Sequence, residues 1–216
     1  MTKKAEGIER AAATGRSSRA PGAASEGVDQ AILAAALSLF MERGFHGTSM
    51  RDIAARSGTS VSHMYYYFPS KASVLKSMMT SIVQDLLNTL EEAGNKAGAS
   101  AAERLSAIVQ AQVLFHSRRQ AEAFIGRSEL RSLEAEDLPE IIALYDRVTG
   151  IFKTTIAEGI RLGEFKCAYR AEATNAIITM CNGVSSWYRS EGRLSPQTIA
   201  KRYAELSLQM LGKTNR

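Results

Sequence analysis

The stretch that decides the fold is SMRDIAARSGTSVSHMYYYFPSK, Ser49–Lys71. It reads as two helices of about two turns each, separated at Gly58 and stopped by Pro69. Neither is long enough to be stable alone in water. Met50, Ile53, Ala54, Val61 and Met64 supply the apolar positions that lock the pair onto a preceding helix. The small Ala54 and the glycine at 58 let the two helices approach and turn sharply. Two short helices around a tight glycine-containing turn present the second helix to the major groove of DNA.

Working outward, the reading is helical almost throughout. A first helix over about 28–43 sets Ile32, Leu33, Ala36, Leu37 and Phe40 on one stripe and ends at Gly44. The second helix follows Thr48 as its expected N-cap, the third starts at Ser60, and a fourth runs from after Ser70 to about Ala93. Ser100–Glu103 is a capping box that opens a helix carrying Leu105, Ile108, Val109, Val113 and Phe115. Further helices are expected over about 121–133, from Leu138 through Ile160, over 171–189 and over 196–211. The prolines agree, because none interrupts a periodic stretch, and no alternating run carries hairpin signals. The expectation is an all-α protein of about nine helices. A three-helix head over 28–71 joins a helical ligand-binding and dimerisation domain over 72–212.

Composition narrows the function classes. The 216 residues are 45% hydrophobic and 23% charged, with a net charge of +5 that mildly favours a polyanionic partner. Residues 1–27 are rich in Ala, Gly and Ser, lack aromatics, and carry a net +2 from five basic and three acidic side chains. They are expected to form a flexible basic arm whose Arg16 and Arg19 reach a minor groove. Two cysteines make no disulfide framework and fit a reducing cytoplasmic setting. No apolar run suits a membrane span and no secretory signal is expected. His46, His63 and His116 lack metal-ligand spacing, so neither metal nor cofactor is expected. Ser73-x-x-Lys76 lacks companion catalytic motifs, so the chain is not expected to be an enzyme.

The segment GFHGTSMRDIAARSGTSVSHMYYYFPSKASVL resembles the DNA-binding region of the TetR-type repressor family. Gly44, Phe45, Thr48, Ile53, Ala54, Gly58, Ser60, Tyr65, Tyr67, Phe68, Ser70, Lys71 and Leu75 fall on that pattern. Thr59 and Ser62 depart from it, in the part that faces DNA. The resemblance implies that Tyr65 and Lys71 meet phosphates and that Thr48 offers a hydroxyl to the backbone. Ser60 is expected to cap the third helix. Val61, Ser62, His63 and Tyr66 are candidates to face base edges, with Arg51 also within reach of DNA. Tyr67 and Phe68 are expected to pack inward.

The C-terminal half is similar to a subgroup of the same family, through FIGRSELRSL, IAEGIRLGEF and WYRSEGRLSPQTIAKRYAELSLQMLG. That subgroup includes actinobacterial regulators of steroid and fatty-acid catabolism, and the resemblance implies an acyl-CoA thioester as effector. Candidate cavity residues are Phe115, Phe124, Tyr145, Val148, Met180, Val184 and Trp187, with Asn182 and Glu129 as polar partners. Arg118, Arg119, Arg127 and Arg131 are candidates for an anionic head group. The helix over 171–189 is apolar on two faces and must be covered twice. Ile178, Cys181 and Tyr188, with Ile199, Tyr203, Leu206 and Met210 of the last helix, are expected to form a two-fold four-helix dimer interface. The expected function is a homodimeric repressor of a pseudo-palindromic operator, released by a small apolar or acyl-CoA-like effector. The alternative is a helix-turn-helix regulator without a small-molecule ligand, controlled by a protein partner.

Overall fold

The computed structural model describes residues 21–213, with side chains from Gly27 onward; Arg16, Arg19 and most of the expected arm lie outside the described residues. The described residues form nine α-helices and no strand. These are α1 Pro21–Arg43, α2 Met50–Ser57, α3 Val61–Tyr67, α4 Lys71–Lys96, α5 Ala101–Arg118, α6 Gln120–Ser128, α7 Leu138–Arg161, α8 Arg170–Trp187 and α9 Pro196–Met210. A short 3-10 turn, Leu130–Ser132, follows α6.

Three boundaries differ from the sequence reading. Helix α1 begins at Pro21, a residue that fits a first helical turn, so the helix takes in residues assigned to the arm. Helix α4 continues to Lys96, straight through Gly94. A Cβ at Gly94 would stand 3.5 Å from Ile108, an ordinary contact distance, so this position packs on α5 as part of the helix and tertiary packing outweighs the poor helix propensity of glycine. Helix α6 stops at Ser128, and the expected continuation is the 3-10 turn.

Helix α5 is the axis of the larger part of the molecule, with α4, α7, α8 and α9 packed around it. Leu105, Ile108, Val109 and Val113 of α5 are fully buried against Leu87 and Leu90 of α4, Phe152 and Ile156 of α7, Ile177 of α8 and Ile199 of α9. The N-terminal end of α5 is fixed twice. Ser100 and Glu103 form the expected capping box, and the Glu164 carboxylate accepts from the Ala101 and Ala102 N–H groups at 3.2 and 2.9 Å. That carboxylate comes from the turn after α7. The turn closes tightly, since a Cβ at Gly159 would lie 2.3 Å from the Phe165 ring.

The head is a smaller cluster continuous with this core. Ile32, Ala36 and Phe40 of α1 meet Ile53 and Ala54 of α2, Met64 of α3, and Val74 and Leu75 of α4. Phe40 and Phe45 pack edge to face at 5.3 Å. Helix α1 also touches α6, so the head contacts the larger part through both α4 and α6.

Candidate nucleic-acid interface and inner cavity

The head's second and third helices are placed by their caps. Ser49, not Thr48, is the N-cap of α2: its hydroxyl accepts from the Asp52 N–H while the Asp52 carboxylate accepts from the Ser49 N–H. Thr48 is buried, and its hydroxyl donates to the carbonyls of Gly44 and Leu39 at 2.9 and 3.3 Å. It is a bracket inside the α1–α2 loop, and its hydroxyl is not presented to a DNA backbone. Gly58 adopts φ +70°, the left-handed conformation that ends α2, and its N–H returns to the carbonyls of Ala54 and Ala55. Ser60 then caps α3, accepting from the His63 N–H at 3.1 Å.

These caps aim one face of α3 outward. Met64 is fully buried and Phe68 nearly so, while Tyr67 is half-buried, with His63 and Tyr66 edge-on to its ring at 5.0 and 5.3 Å. Val61, Ser62, His63, Tyr65 and Tyr66 are exposed, as is Arg51 at the start of α2. Tyr66 is 81% exposed, more than any other large apolar or aromatic side chain described in the molecule. An apolar ring held so far into solvent at the tip of a two-helix motif marks a contact surface.

Lys71 has a different primary use from the one expected. Its ammonium donates to the carbonyls of Phe45 and Thr48 at 2.6 and 2.7 Å and stands 4.4 Å over the Phe45 ring. It clamps the start of α4 to the α1–α2 loop. Burial lowers its pKa, and Glu129 of the larger part opposes the shift. A second brace closes the other side of the head, where Arg56 pairs bidentately with Glu42 at 2.8 and 3.0 Å.

The larger part holds a cavity of about 290 Å³ bounded by α4, α5, α6, α7 and α8. One wall is apolar, made by Ile82, Val83 and Leu86 of α4 with Tyr145 and Val148 of α7. The other is polar, made by Gln112 and His116 of α5 with Asn182 and Ser185 of α8. Arg127 of α6, itself exposed, stands at the rim and donates to the Ser185 hydroxyl at 3.2 Å. Burial pushes the His116 imidazole down to about 4, with the Arg127 charge acting in the same direction and Asn182 opposing. Asn182 does not reach hydrogen-bonding geometry, and both ring nitrogens lack partners among the described residues. The Gln112 side-chain amide donates to the Asn182 side-chain oxygen Oδ1, but its own side-chain oxygen Oε1 is buried and without a partner among the described residues.

Of the sequence candidates, Phe115, Arg127, Tyr145, Val148 and Asn182 line this cavity. Ile178, expected at a dimer interface, lines it as well. The others stand elsewhere. Arg119 is neutralised by Asp85 and Glu122 at 2.6 and 3.1 Å and lies over Phe115, which braces α4, α5 and α6. Arg118 opens onto a surface groove with Lys96. Phe124 and Arg131 point to solvent, and Glu129 accepts from the Ser128 and Ser132 hydroxyls. Met180, Val184 and Trp187 are outside the lining; Val184 is fully buried in the core and Trp187 is half exposed.

The dimer candidates divide similarly. Cys181 and Ile199 are buried in the chain's own core, facing inward on α8 and α9, and Tyr188 packs on that core while its carbonyl accepts from Gln120. Tyr203 is half-buried beside Trp187, with ring centroids 6.3 Å apart. Leu206 and Met210 are 47% and 43% exposed. Trp187, Leu206 and Met210 thus leave an apolar face on α8 and α9.

The sequence reading missed Gln112 and His116. Their signal is position: on the α5 stripe 105, 108, 109, 112, 113, 116, the apolar series gives way to Gln and His, which points two polar groups inward.

The head and the larger part each match a family. Residues 32–78 match the model described as bacterial regulatory proteins, tetR family, and residues 98–211 match the tetracyclin repressor-like C-terminal domain. The chain belongs to the TetR family of transcriptional regulators. It is 25% identical to the HTH-type transcriptional repressor KstR2 of Rhodococcus jostii strain RHA1, over 82% of this chain and 87% of that protein. It is 23% identical to the fatty acid metabolism regulator protein of Bacillus subtilis strain 168, over 81% and 91%. Among solved structures, a tetR-family regulatory protein from Rhodococcus RHA1 superposes with a TM-score of 0.80 at 30% identity, over 87% of this chain and 98% of that one. AibR, solved with isovaleryl coenzyme A and operator DNA, shares the fold at a TM-score of 0.73 and 22% identity, over 85% and 97%.

Proposed function

We propose that the chain is an effector-responsive repressor, which binds a pseudo-palindromic operator as a homodimer and is released when a small, largely apolar molecule fills the inner cavity. The observation that carries the reading is that the cavity is walled by α4 and α6, the two helices through which the larger part touches α1 of the head. A molecule entering there has differential contacts with any state in which those helices move, which is what a shift of the equilibrium requires.

The exposed face of α3 does the reading: Val61, Ser62, His63 and Tyr66 face base edges, while Tyr65 and Arg51 meet the phosphate backbone. The apolar face on α8 and α9 pairs two copies, so that two heads fall about 34–36 Å apart on the duplex. At about 290 Å³ the cavity has the size of a short acyl group or small ring, and Arg127 at its rim suits an anionic tail left outside. An acyl-CoA thioester has this form.

The test begins with unbiased selection of the operator by the purified protein. Fluorescence anisotropy on the selected sequence then follows, with and without a panel of short acyl-CoA thioesters. Sequence-specific binding weakened by one member supports the proposal; operator affinity unaffected by every cavity-binding molecule removes effector control.

A further inference from the structure

The geometry points to an effector that carries an uncharged hydroxyl on its apolar body, seated between Gln112 and His116. This rests on the cavity being the effector site and adds the chemistry of what is recognised there.

Gln112 and His116 are four residues apart on α5, hence on one face in adjacent turns. Both line the cavity, at 1% and 8% exposure. Among the described residues the Gln112 side-chain oxygen Oε1 is a buried acceptor with no donor, and both His116 nitrogens are buried without partners. Held neutral, the imidazole offers one N–H donor and one acceptor. Such groups are rarely left unpaired in a folded chain. Together they present an orphan acceptor and an orphan donor one helical turn apart on the same face.

A hydroxyl satisfies both at once: it donates to the Gln112 oxygen and accepts from the His116 N–H. A carboxylate has no proton for Gln112, and a plain hydrocarbon leaves both groups unpaired. The low-dielectric surroundings also favour an uncharged group at this depth. The apolar wall of Val83, Leu86 and Val148 takes the rest of the molecule.

Matched probes test this. One pair is 3-hydroxybutyryl-CoA against butyryl-CoA; the other is 4-phenylbutan-1-ol against butylbenzene, which separates a CoA-linked source from a free alcohol. Binding is measured by calorimetry on the full chain and on Gln112→Met and His116→Phe. Each variant substitutes an apolar side chain of similar size, and thermal unfolding checks that it folds. In at least one pair the hydroxylated member is expected to bind about tenfold to a hundredfold tighter, and either variant closes that gap. Equal binding within both pairs overturns the hydroxyl assignment and leaves the cavity as an effector site. A preference that survives both variants overturns the roles of Gln112 and His116. Binding of no probe overturns the inference and counts against the cavity reading too. A hydroxyl preference without any change in operator affinity keeps hydroxyl recognition by Gln112 and His116 and sinks effector control.

Discussion

A buried imidazole with two unpartnered nitrogens lowers the stability of the chain that carries it, and its protonation makes the loss depend on pH. His116 in the folded chain titrates near 4 against an ordinary value of 6.5. Between those values the unfolded chain binds the extra proton. Stability is therefore fully present above about 6.5 and falls as pH drops toward 4, by on the order of 3 kcal/mol in total. Urea denaturation at a series of pH values between 4.5 and 7.5 measures this, and His116→Phe is expected to flatten the profile. At neutral pH the same variant is expected to gain about 1 kcal/mol, since it removes an unsatisfied buried group. Lys71 is the opposite case, a charge whose partners are in place. Lys71→Met is expected to destabilise the protein by about 2 kcal/mol, through two lost charge-assisted bonds to backbone carbonyls. The slope of log affinity for operator against log salt is expected to change by less than one unit; a full unit would make Lys71 chiefly a phosphate ligand. Both residues show where a sequence stops being legible. Lys71 follows Pro69 and Ser70 in a pattern that announces DNA, but its actual acceptors lie more than twenty residues earlier, and only the folded loop brings them to it.

At the scale of elements, the helix-turn-helix depends on how its short helices are terminated. Gly58 is the one backbone position in the motif that L side chains resist. No atom stands within 4 Å of a Cβ added there, so Gly58→Ala is expected to cost only the conformational term, about 1 kcal/mol, and to lower the thermal midpoint without changing base preference. Gly159→Ala carries a collision instead. Its Cβ would enter the Phe165 ring, and a loss of about 2–3 kcal/mol in denaturation experiments is expected. Element existence and order were legible because the apolar stripe repeats with helical period over each segment. Ends were less so. Thr48 and Ser49 are both capping types, and only the path of the α1–α2 loop turns one inward and the other onto α2. The end of α4 was hidden for a related reason: a glycine that looks like a stop is carried through as helix because its segment packs against Ile108 of α5.

The whole molecule joins two surfaces that sequence revealed unequally. The reading face of α3 is local in sequence, so a motif exposes it. The cavity draws its walls from five helices, and which of many apolar residues face it depends on the rotation of each helix about its axis. Phe115 and Phe124 show this, since one lines the cavity and the other stands in solvent. The outer face of α8 and α9 obeys the same geometry, and it makes a prediction. Leu206→Glu with Met210→Glu is expected to leave the fold intact, because both side chains are exposed in the single chain. Sedimentation should then show monomers, and affinity for a two-half-site operator should fall at least tenfold; an unchanged dimer would move the interface elsewhere. Helix α4 has a further consequence, which is one of leverage. It meets the cavity at Ile82–Leu86 and the head at Lys71, so at 1.5 Å per residue the arm between them is roughly 20 Å long. A tilt of about 6° at the cavity end swings the clamped end by about 2 Å, the size of helix shift at which packed interfaces change state. Under the proposed function, the length of this arm sets how far a small displacement at the cavity is carried to the head of each copy.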